Sequence, residues 1–272
     1  MFDLDAYLAR IALNAPPAAN AAGLATLQRA HRLAVPFENL DVILGRAIRI
    51  DSESVFAKLV TARRGGYCFE HNRLFLDALA ALGFAARPVL ARVWLSASET
   101  PPLTHVLSLV TIGGEDWIAD PGFGGSYSPV MPLADDAEVE APDGARFRLA
   151  RNAVHGWMLA RDGHPGTTDG RASGTGFLPQ YSFTLAQVWD SDLAMGNLWS
   201  FAAPQSRFRQ VRIASLVLPR GLTSLTDRTL RCRAGEEETV VEITDPGSYR
   251  LRLGEVFGIE LTAEEAAALG LF

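Results

Sequence analysis

Arg63-Arg64-Gly65-Gly66-Tyr67-Cys68-Phe69-Glu70-His71-Asn72 sets a basic pair, a glycine pair and a cysteine directly ahead of a helical spacing. After it, Phe75, Ala78, Leu79 and Leu82 recur on one face, and Gly83 supplies a stop. A cysteine in the first turn of that helix lies where unpaired backbone N–H groups and the helix dipole favour a thiolate. Arg63 and Arg64 push in the same direction. Cysteine is also among the most buried residue types and commonly packs as a small hydrophobe. Placement alone leaves a nucleophile and a core residue both open.

Upstream, Leu4, Tyr7, Leu8 and Ile11 predict a helix ended by Pro16-Pro17. A second helix is predicted from Gly23 to Ala34, stopping before Pro36. Ser52 is the expected cap of a third, with Phe56, Leu59 and Val60 on its inner face. Past Gly83 the period drops to two. Residues 87–96 read as a strand, and His105–Ile112 and Trp117–Asp120 as two more joined by a turn at 113–116. Phe147–Leu149 and His155–Leu159 are strand-like pieces in a stretch rich in Gly, Pro, Asp and Ala. Further strands are expected at 210–218 and 238–243, and a short helix at Thr262–Leu269. Helices first and strands later is the order of an α+β fold. At roughly 150 residues per domain, the 272 residues suggest about two domains.

The 31 acidic and 25 basic residues give a net charge of −6, and the isoelectric point is near 5.4. An acidic chain of this kind argues against nucleic acid as the main partner, which requires a clustered basic surface. Two cysteines, Cys68 and Cys232, cannot build a disulfide scaffold and point to a reducing compartment. Asp3 and Asp5 stand where a signal peptide carries basic residues, and no run of about 18 apolar residues occurs. The expectation is a cytoplasmic protein without a membrane span.

A thiol nucleophile requires a base, and the base an orienting acid. Of five histidines, His71 on the cysteine's own helix is expected to point along the surface, and His155 and His164 to sit in exposed loops. His31 is expected to be a hydrogen-bonded core residue. His105 opens an apolar strand after Pro101-Pro102-Leu103-Thr104, and Asp120 ends the next one. A four-residue turn at 113–116 sets Asp120 opposite Leu109. His105 then lies four residues away, roughly 13 Å along the strands. Such a hairpin makes no His–Asp contact without a bulge, strong twist or fraying.

RRGGYCFEHN, the Leu103-Thr104-His105-Val106 segment and Asp120-Pro121-Gly122-Phe123-Gly124 resemble the three catalytic segments of the arylamine N-acetyltransferases. Ala34-Val35-Pro36-Phe37-Glu38-Asn39-Leu40 is similar to the family's VPFENL box, and Pro204-Gln205-Ser206-Arg207-Phe208 to its later S-x-F segment. The resemblance implies an N-terminal helical bundle (1–84) with the nucleophile, a central β-barrel (85–188) with His and Asp, and a C-terminal α/β lid (189–272). Its core would be a cysteine-protease-like Cys-His-Asp arrangement of Cys68, His105 and Asp120. It further implies ping-pong transfer of an acetyl group from acetyl-CoA to an arylamine, arylhydrazine or N-hydroxyarylamine, with no metal or prosthetic group. Thr104, Phe123, Gly124 and Phe208 match positions lining the CoA or acyl end of the cleft. Phe37, Phe69, Phe123 and Tyr127 would form an aromatic wall for the acceptor. Glu38 and Arg64 are expected to be a structural ion pair.

Two departures from the family pattern stand out. Pro121 removes one N–H after Asp120, and Gly125 replaces a larger residue, which implies room for broader acceptors. The same resemblance accommodates an amide synthase acting on a carrier-protein-bound polyketide, or a Cys-His-Asp hydrolase. Cys232 lacks a motif and is expected to be structural.

Overall fold

The computed structural model describes residues 2–95, 97–164, 166–167, 169–171 and 174–272. Helices α1 (Leu4–Arg10) and α2 (Ala21–Ala34) start where Asp3 and Asn20 side chains accept backbone N–H groups. Then follow β1 (Phe37–Glu38), α3 (Leu40–Ile43), α4 (Ser52–Phe56) and α5 (Cys68–Ala81). The cap of α4 is Asp51 rather than Ser52, its carboxylate accepting from the Ser54 N–H at 2.9 Å. This helix widens into a π-turn at Ala57–Thr61, burying Leu59 and Val60 while Phe56 stays half-buried. Tyr7, Leu24, Leu27, Leu59, Leu74 and Phe75 close the bundle core.

The barrel strands are β2 (Ala85–Val93), β3 (Leu103–Ile112), β4 (Glu115–Ala119), β5 (Met131–Pro132), β6 (Ala137–Glu140), β7 (Arg146–Asn152), β8 (Gly156–Asp162) and β9 (Phe177–Phe183). They are ordered β5-β4-β3-β2-β9-β8-β7-β6, and the two ends approach each other, so the sheet is a nearly closed barrel. The first strand is shorter than the expected 87–96, and Ser96 lies outside the described residues. Val89, Leu107, Phe147, Leu159 and Tyr181 fill its interior.

After the barrel come α6 (Asp190–Ala202), α7 (Arg207–Gln210), β10 (Ile213–Leu218), β11 (Gly221–Thr226), β12 (Thr229–Ala234), β13 (Glu237–Glu242), α8 (Pro246–Phe257) and α9 (Ala263–Ala268). The expected strand at 210–218 therefore begins later, because Ser206 caps a helical turn at Arg207. These strands form a second sheet, β1-β10-β11-β12-β13, in which Phe37 pairs with Ser215 and Glu38 with Ala214. Thus the segment before α3 and the last third of the chain share one sheet. The Asn39 side chain locks them further, donating to the Phe208 and Val211 carbonyls at 2.7 Å and accepting from the Ile213 N–H.

The β3–β4 hairpin differs from expectation in a way that matters. Its turn is two residues, Gly113-Gly114, both at positive φ (61° and 88°), and Ile112 pairs with Glu115. Glycine pays no steric cost there, and such turns match the strand twist. Ser108 pairs with Ala119, so the register carried one step further sets Asp120 opposite Leu107. His105 is then a diagonal neighbour on the same face, within side-chain reach without a four-residue gap.

Candidate active site

Two glycines let the nucleophile's helix begin against the β1 segment. A side chain on Gly65 would strike the Pro36 carbonyl, and one on Gly66 the Glu70 side chain. Without them, the Glu38 N–H donates to the Gly66 carbonyl at 2.8 Å. Cys68 follows as the first residue of α5, and the Glu70 carboxylate accepts from the Tyr67 N–H at 3.1 Å. Across the gap, the Cys68 thiol lies 3.7 Å from the Thr104 carbonyl, one residue before His105.

His105 Nε2 is 2.7 Å from Asp120 Oδ2. A carboxylate only accepts, so Nε2 carries a proton and donates to it. Asp120 is held from every side. Its Oδ1 accepts from Asn72 Nδ2 (3.1 Å) and the Gly122 N–H (3.0 Å), while its own N–H donates to Gln28 Oε1 at 2.6 Å. The Tyr181 hydroxyl also hydrogen-bonds the carboxyl. Burial works against the charged carboxylate, but His105, Asn72 and the Gly122 N–H outweigh it and keep the pKa below the ordinary Asp value.

Asn72 ties the three segments together. Its Nδ2 also donates to the Val106 carbonyl (2.7 Å) and the Cys68 carbonyl (3.2 Å). Three acceptors around one atom fix the amide orientation, leaving Oδ1 buried without a partner among the described residues. An unsatisfied buried acceptor costs about 1–3 kcal/mol, which the fold carries at the point where helix, strand and acid meet. Sequence reading gave no role to Asn72, Gln28, Arg32 or Tyr181. The signal for Asn72 was its i+4 position relative to Cys68, and for Gln28 and Arg32 their i, i+4 spacing on α2.

The thiol's surroundings differ from expectation. Burial foremost, and then the Asp120 charge, push the Cys68 pKa up, against a lowering by the Phe69 backbone N–H. The arginines do not help. Arg64 is 2.8 Å from Glu38 and 3.4 Å from Asp41, and Arg63 is exposed in a left-handed conformation (φ 53°). Glu38–Arg64 is thus the expected ion pair. His71 does not lie along the surface: it is fully buried, its Nδ1 2.8 Å from His31 Nε2 and its Nε2 3.1 Å from the Pro36 carbonyl. His31 receives the Tyr7 hydroxyl at 2.9 Å. His164 is exposed, but His155 is half-buried with its ring 4.7 Å from that of Trp94.

Phe37, Phe69 and Phe208 pack in one cluster with Cys68, with Phe208 stacked edgewise on Tyr67. Phe123 sets its ring 5.1 Å from His105 and 4.9 Å from Tyr181. Gly124 stands at φ 71°, and a Cβ added to it would lie 3.3 Å from the Phe37 ring. Tyr127 instead belongs to the barrel core and hydrogen-bonds Gln28. The space opposite Gly125 is filled rather than open: an added Cβ would lie 2.5 Å from both Arg171 Cζ and Asp169 Oδ2. A groove of about 360 Å³ is lined by Pro102, Leu103, Thr104, Val188, Gly196 and Trp199. Cys232 sits in β12 opposite Thr223 and Thr239.

Among the described residues, no group of three His, Cys, Asp or Glu could hold a metal, and no helix is long and apolar enough to cross a membrane. Helical bundle, barrel and α/β layer around a cysteine, histidine and aspartate define a cysteine-protease-like core. The N-acetyltransferase family model matches residues 21–266. The arylamine N-acetyltransferase / N-hydroxyarylamine O-acetyltransferase of Salmonella typhimurium is 38% identical over 283 residues, covering 99% of this chain and 96% of that one. A solved arylamine N-acetyltransferase from the same organism superposes with a TM-score of 0.90, at 35% identity, over 99% of this chain and 98% of its own. The Mycobacterium marinum arylamine N-acetyltransferase in complex with CoA gives 0.87 at 28% identity, with 98% of each chain covered. The chain belongs to the arylamine N-acetyltransferase family.

Proposed function

We propose that the chain transfers an acetyl group from acetyl-CoA to an arylamine, arylhydrazine or N-hydroxyarylamine through an acetyl-cysteine on Cys68. The observation carrying the reading is a helix-start thiol 3.7 Å from the carbonyl of the residue before His105, whose Nε2 is in turn held on the buried Asp120 at 2.7 Å. His105 Nδ1 takes the Cys68 proton, offsetting the rise that burial imposes on the thiol. The sulfur attacks the thioester carbon, the carbon–sulfur bond to CoA breaks, and the proton passes to the departing CoA sulfur. The acceptor nitrogen then attacks the acetyl-cysteine, His105 takes its proton, and the Cys68 thiol is regenerated. Asp120 fixes the Nε2–H tautomer and stabilises the charge His105 acquires. The Phe69 backbone N–H, at the positive end of α5, is placed to receive the oxyanion.

In this reading, residues 1–84 carry the nucleophile, 85–188 the base and acid, and 189–272 a lid. Thr104, Phe123, Gly124 and Phe208 line the donor side. Phe37, Phe69 and Phe123 face the aryl acceptor, and Tyr127 supports the Phe123–Gly125 turn from the barrel side. Two-substrate kinetics test the scheme. Parallel double-reciprocal lines, with isolated acetyl-enzyme discharging to a panel of arylamines and hydrazines, are expected. Transfer only to water identifies a hydrolase instead, and transfer only from a carrier-protein thioester identifies an amide synthase.

A further inference from the structure

Helix α6 packs against the residues on both sides of the nucleophile. Its Asn197 is buried, and Asn197 Nδ2 donates to the Ile48 carbonyl at 2.9 Å. A carbonyl only accepts, so this contact fixes the amide and leaves Oδ1 as the acceptor for its other neighbour. That neighbour is the Tyr67 hydroxyl, which donates to Asn197 Oδ1 and lies 3.4 Å from the Asn197 carbonyl. Tyr67 is fully buried, stands at the N-cap of α5 and immediately precedes Cys68. Among the described residues its hydroxyl meets Asn197 alone, and a buried hydroxyl is costly to leave unpaired.

Gly196, one residue earlier, makes the close approach possible. A Cβ there would lie 2.9 Å from the Leu103 carbonyl and 2.9 Å from Phe69 Cζ. One turn further on, Ser200 Oγ is 3.5 Å from the Thr104 carbonyl, the same oxygen that faces the Cys68 thiol at 3.7 Å. A single stretch of α6 therefore contacts Tyr67 and Phe69, which flank the nucleophile, and Leu103 and Thr104, which lead into His105. Asn72 links the same two segments from within α5, through the Cys68 and Val106 carbonyls. Because packed interiors transmit displacement, α6 acts as a spacer between the helix that carries the thiol and the strand that carries the base.

We propose that Asn197 is a positioning residue for acetyl transfer, holding the Cys68 turn of α5 in register with His105 through the Tyr67 hydroxyl. The proposal rests on the acetyl-transfer reading. Removal of the hydroxyl bond frees the first turn of α5 on its α6 side, while Asn72 still ties its other end. The thiol then samples positions from which its proton does not reach His105, and proton transfer is steeply sensitive to such misplacement. The carboxylates that bear on the thiol, Asp120 and Glu70, stay in place.

The test compares Tyr67→Phe, Asn197→Leu and the double variant with the wild-type protein. Two readouts are taken: the single-turnover rate of Cys68 acetylation by acetyl-CoA, and the pH midpoint of Cys68 alkylation by iodoacetamide. Tyr67→Phe is expected to slow acetylation by about tenfold at saturating acetyl-CoA, with half-saturation unchanged within about twofold. The alkylation midpoint rises by about one pH unit, the same tenfold loss of thiolate read directly. Asn197→Leu does likewise, and the double variant is no slower than the slower single variant, because one bond is being removed twice. A lower melting temperature with both readouts at wild-type values shows a merely structural contact and overturns the proposal, as does a double variant whose losses multiply. Tyr67→Phe keeps the ring and carries the test by itself if Asn197→Leu does not fold. A wild-type protein that alkylates at Cys68 but never acetylates overturns the acetyl-transfer reading, while the alkylation midpoints still decide whether Asn197 positions the thiol.

Discussion

Two buried histidine environments are tied to helix α5, one through Asn72 and the other through His71, and they differ in what the second ring nitrogen meets. His105 turns Nε2 to the Asp120 carboxylate, whereas His71 turns Nε2 to the neutral Pro36 carbonyl. Because a carbonyl only accepts, His71 Nε2 carries a proton and its Nδ1 accepts from His31 Nε2. His31 Nδ1 in turn accepts from the Tyr7 hydroxyl. This chain is complete with both rings neutral and leaves no lone pair for chemistry. Burial, and then Arg32 nearby, push the His71 pKa down to about 3, and burial with His71 and the arginines pushes His31 well down. Equal burial therefore yields a neutral structural strut at one site and, at the other, an imidazole tied to a carboxylate, the arrangement the proposed mechanism uses. The partner decides, not the depth.

The largest effect that would break this contrast concerns the thiol. Cys68→Ala is expected to lower acetyl transfer by at least about 10⁴-fold with the fold intact by circular dichroism. Next, Asp120→Asn places an amide where the tautomer-fixing carboxylate stood, and kcat is expected to fall about 10³–10⁴-fold. By contrast, His71→Gln is expected to lower stability by about 1–3 kcal/mol in urea unfolding while activity of the folded protein falls less than about tenfold. A catalytic loss matching that of Asp120→Asn would erase the distinction between the two sites.

The smallest expected effect is a pH dependence of stability. For His31 and His71 the folded pKa lies below the unfolded value of about 6.5, so the unfolded chain gains protons first as the solution is acidified. The contribution is fully present above about 6.5 and is lost as pH falls toward about 3. Asp41, held at about 2 by Lys58 and Arg64 against burial, adds its own loss only below about 4. Melting temperatures between pH 7 and 4.5 report the histidine loss, partly offset by Glu70, whose pKa burial raises, and His71→Gln should flatten that slope.

The contrast was only partly legible in the sequence. The helix after Gly66, the β3–β4 hairpin and the segment RRGGYCFEHN announce themselves through local spacing and turn residues. The hairpin register turned on whether Gly113-Gly114 alone formed the turn, a two-residue difference that decides whether His105 can reach Asp120. Long-range pairings left no local trace. The Phe37–Ser215 ladder, Gln28 on the Asp120 N–H and Arg171 in the Gly125 notch each join residues far apart in the chain. His71 was misplaced because helix periodicity locates a face but not the neighbouring helix that buries it.

Intact-mass and peptide-mapping analysis of the protein after brief exposure to acetyl-CoA tests the central claim most directly. One acetyl group on the peptide containing Cys68, none on Cys232, and its disappearance on adding an arylamine with matching N-acetyl product, is the expected result. Formation of acetylated product with no acetyl-Cys68 at any time point would contradict the account.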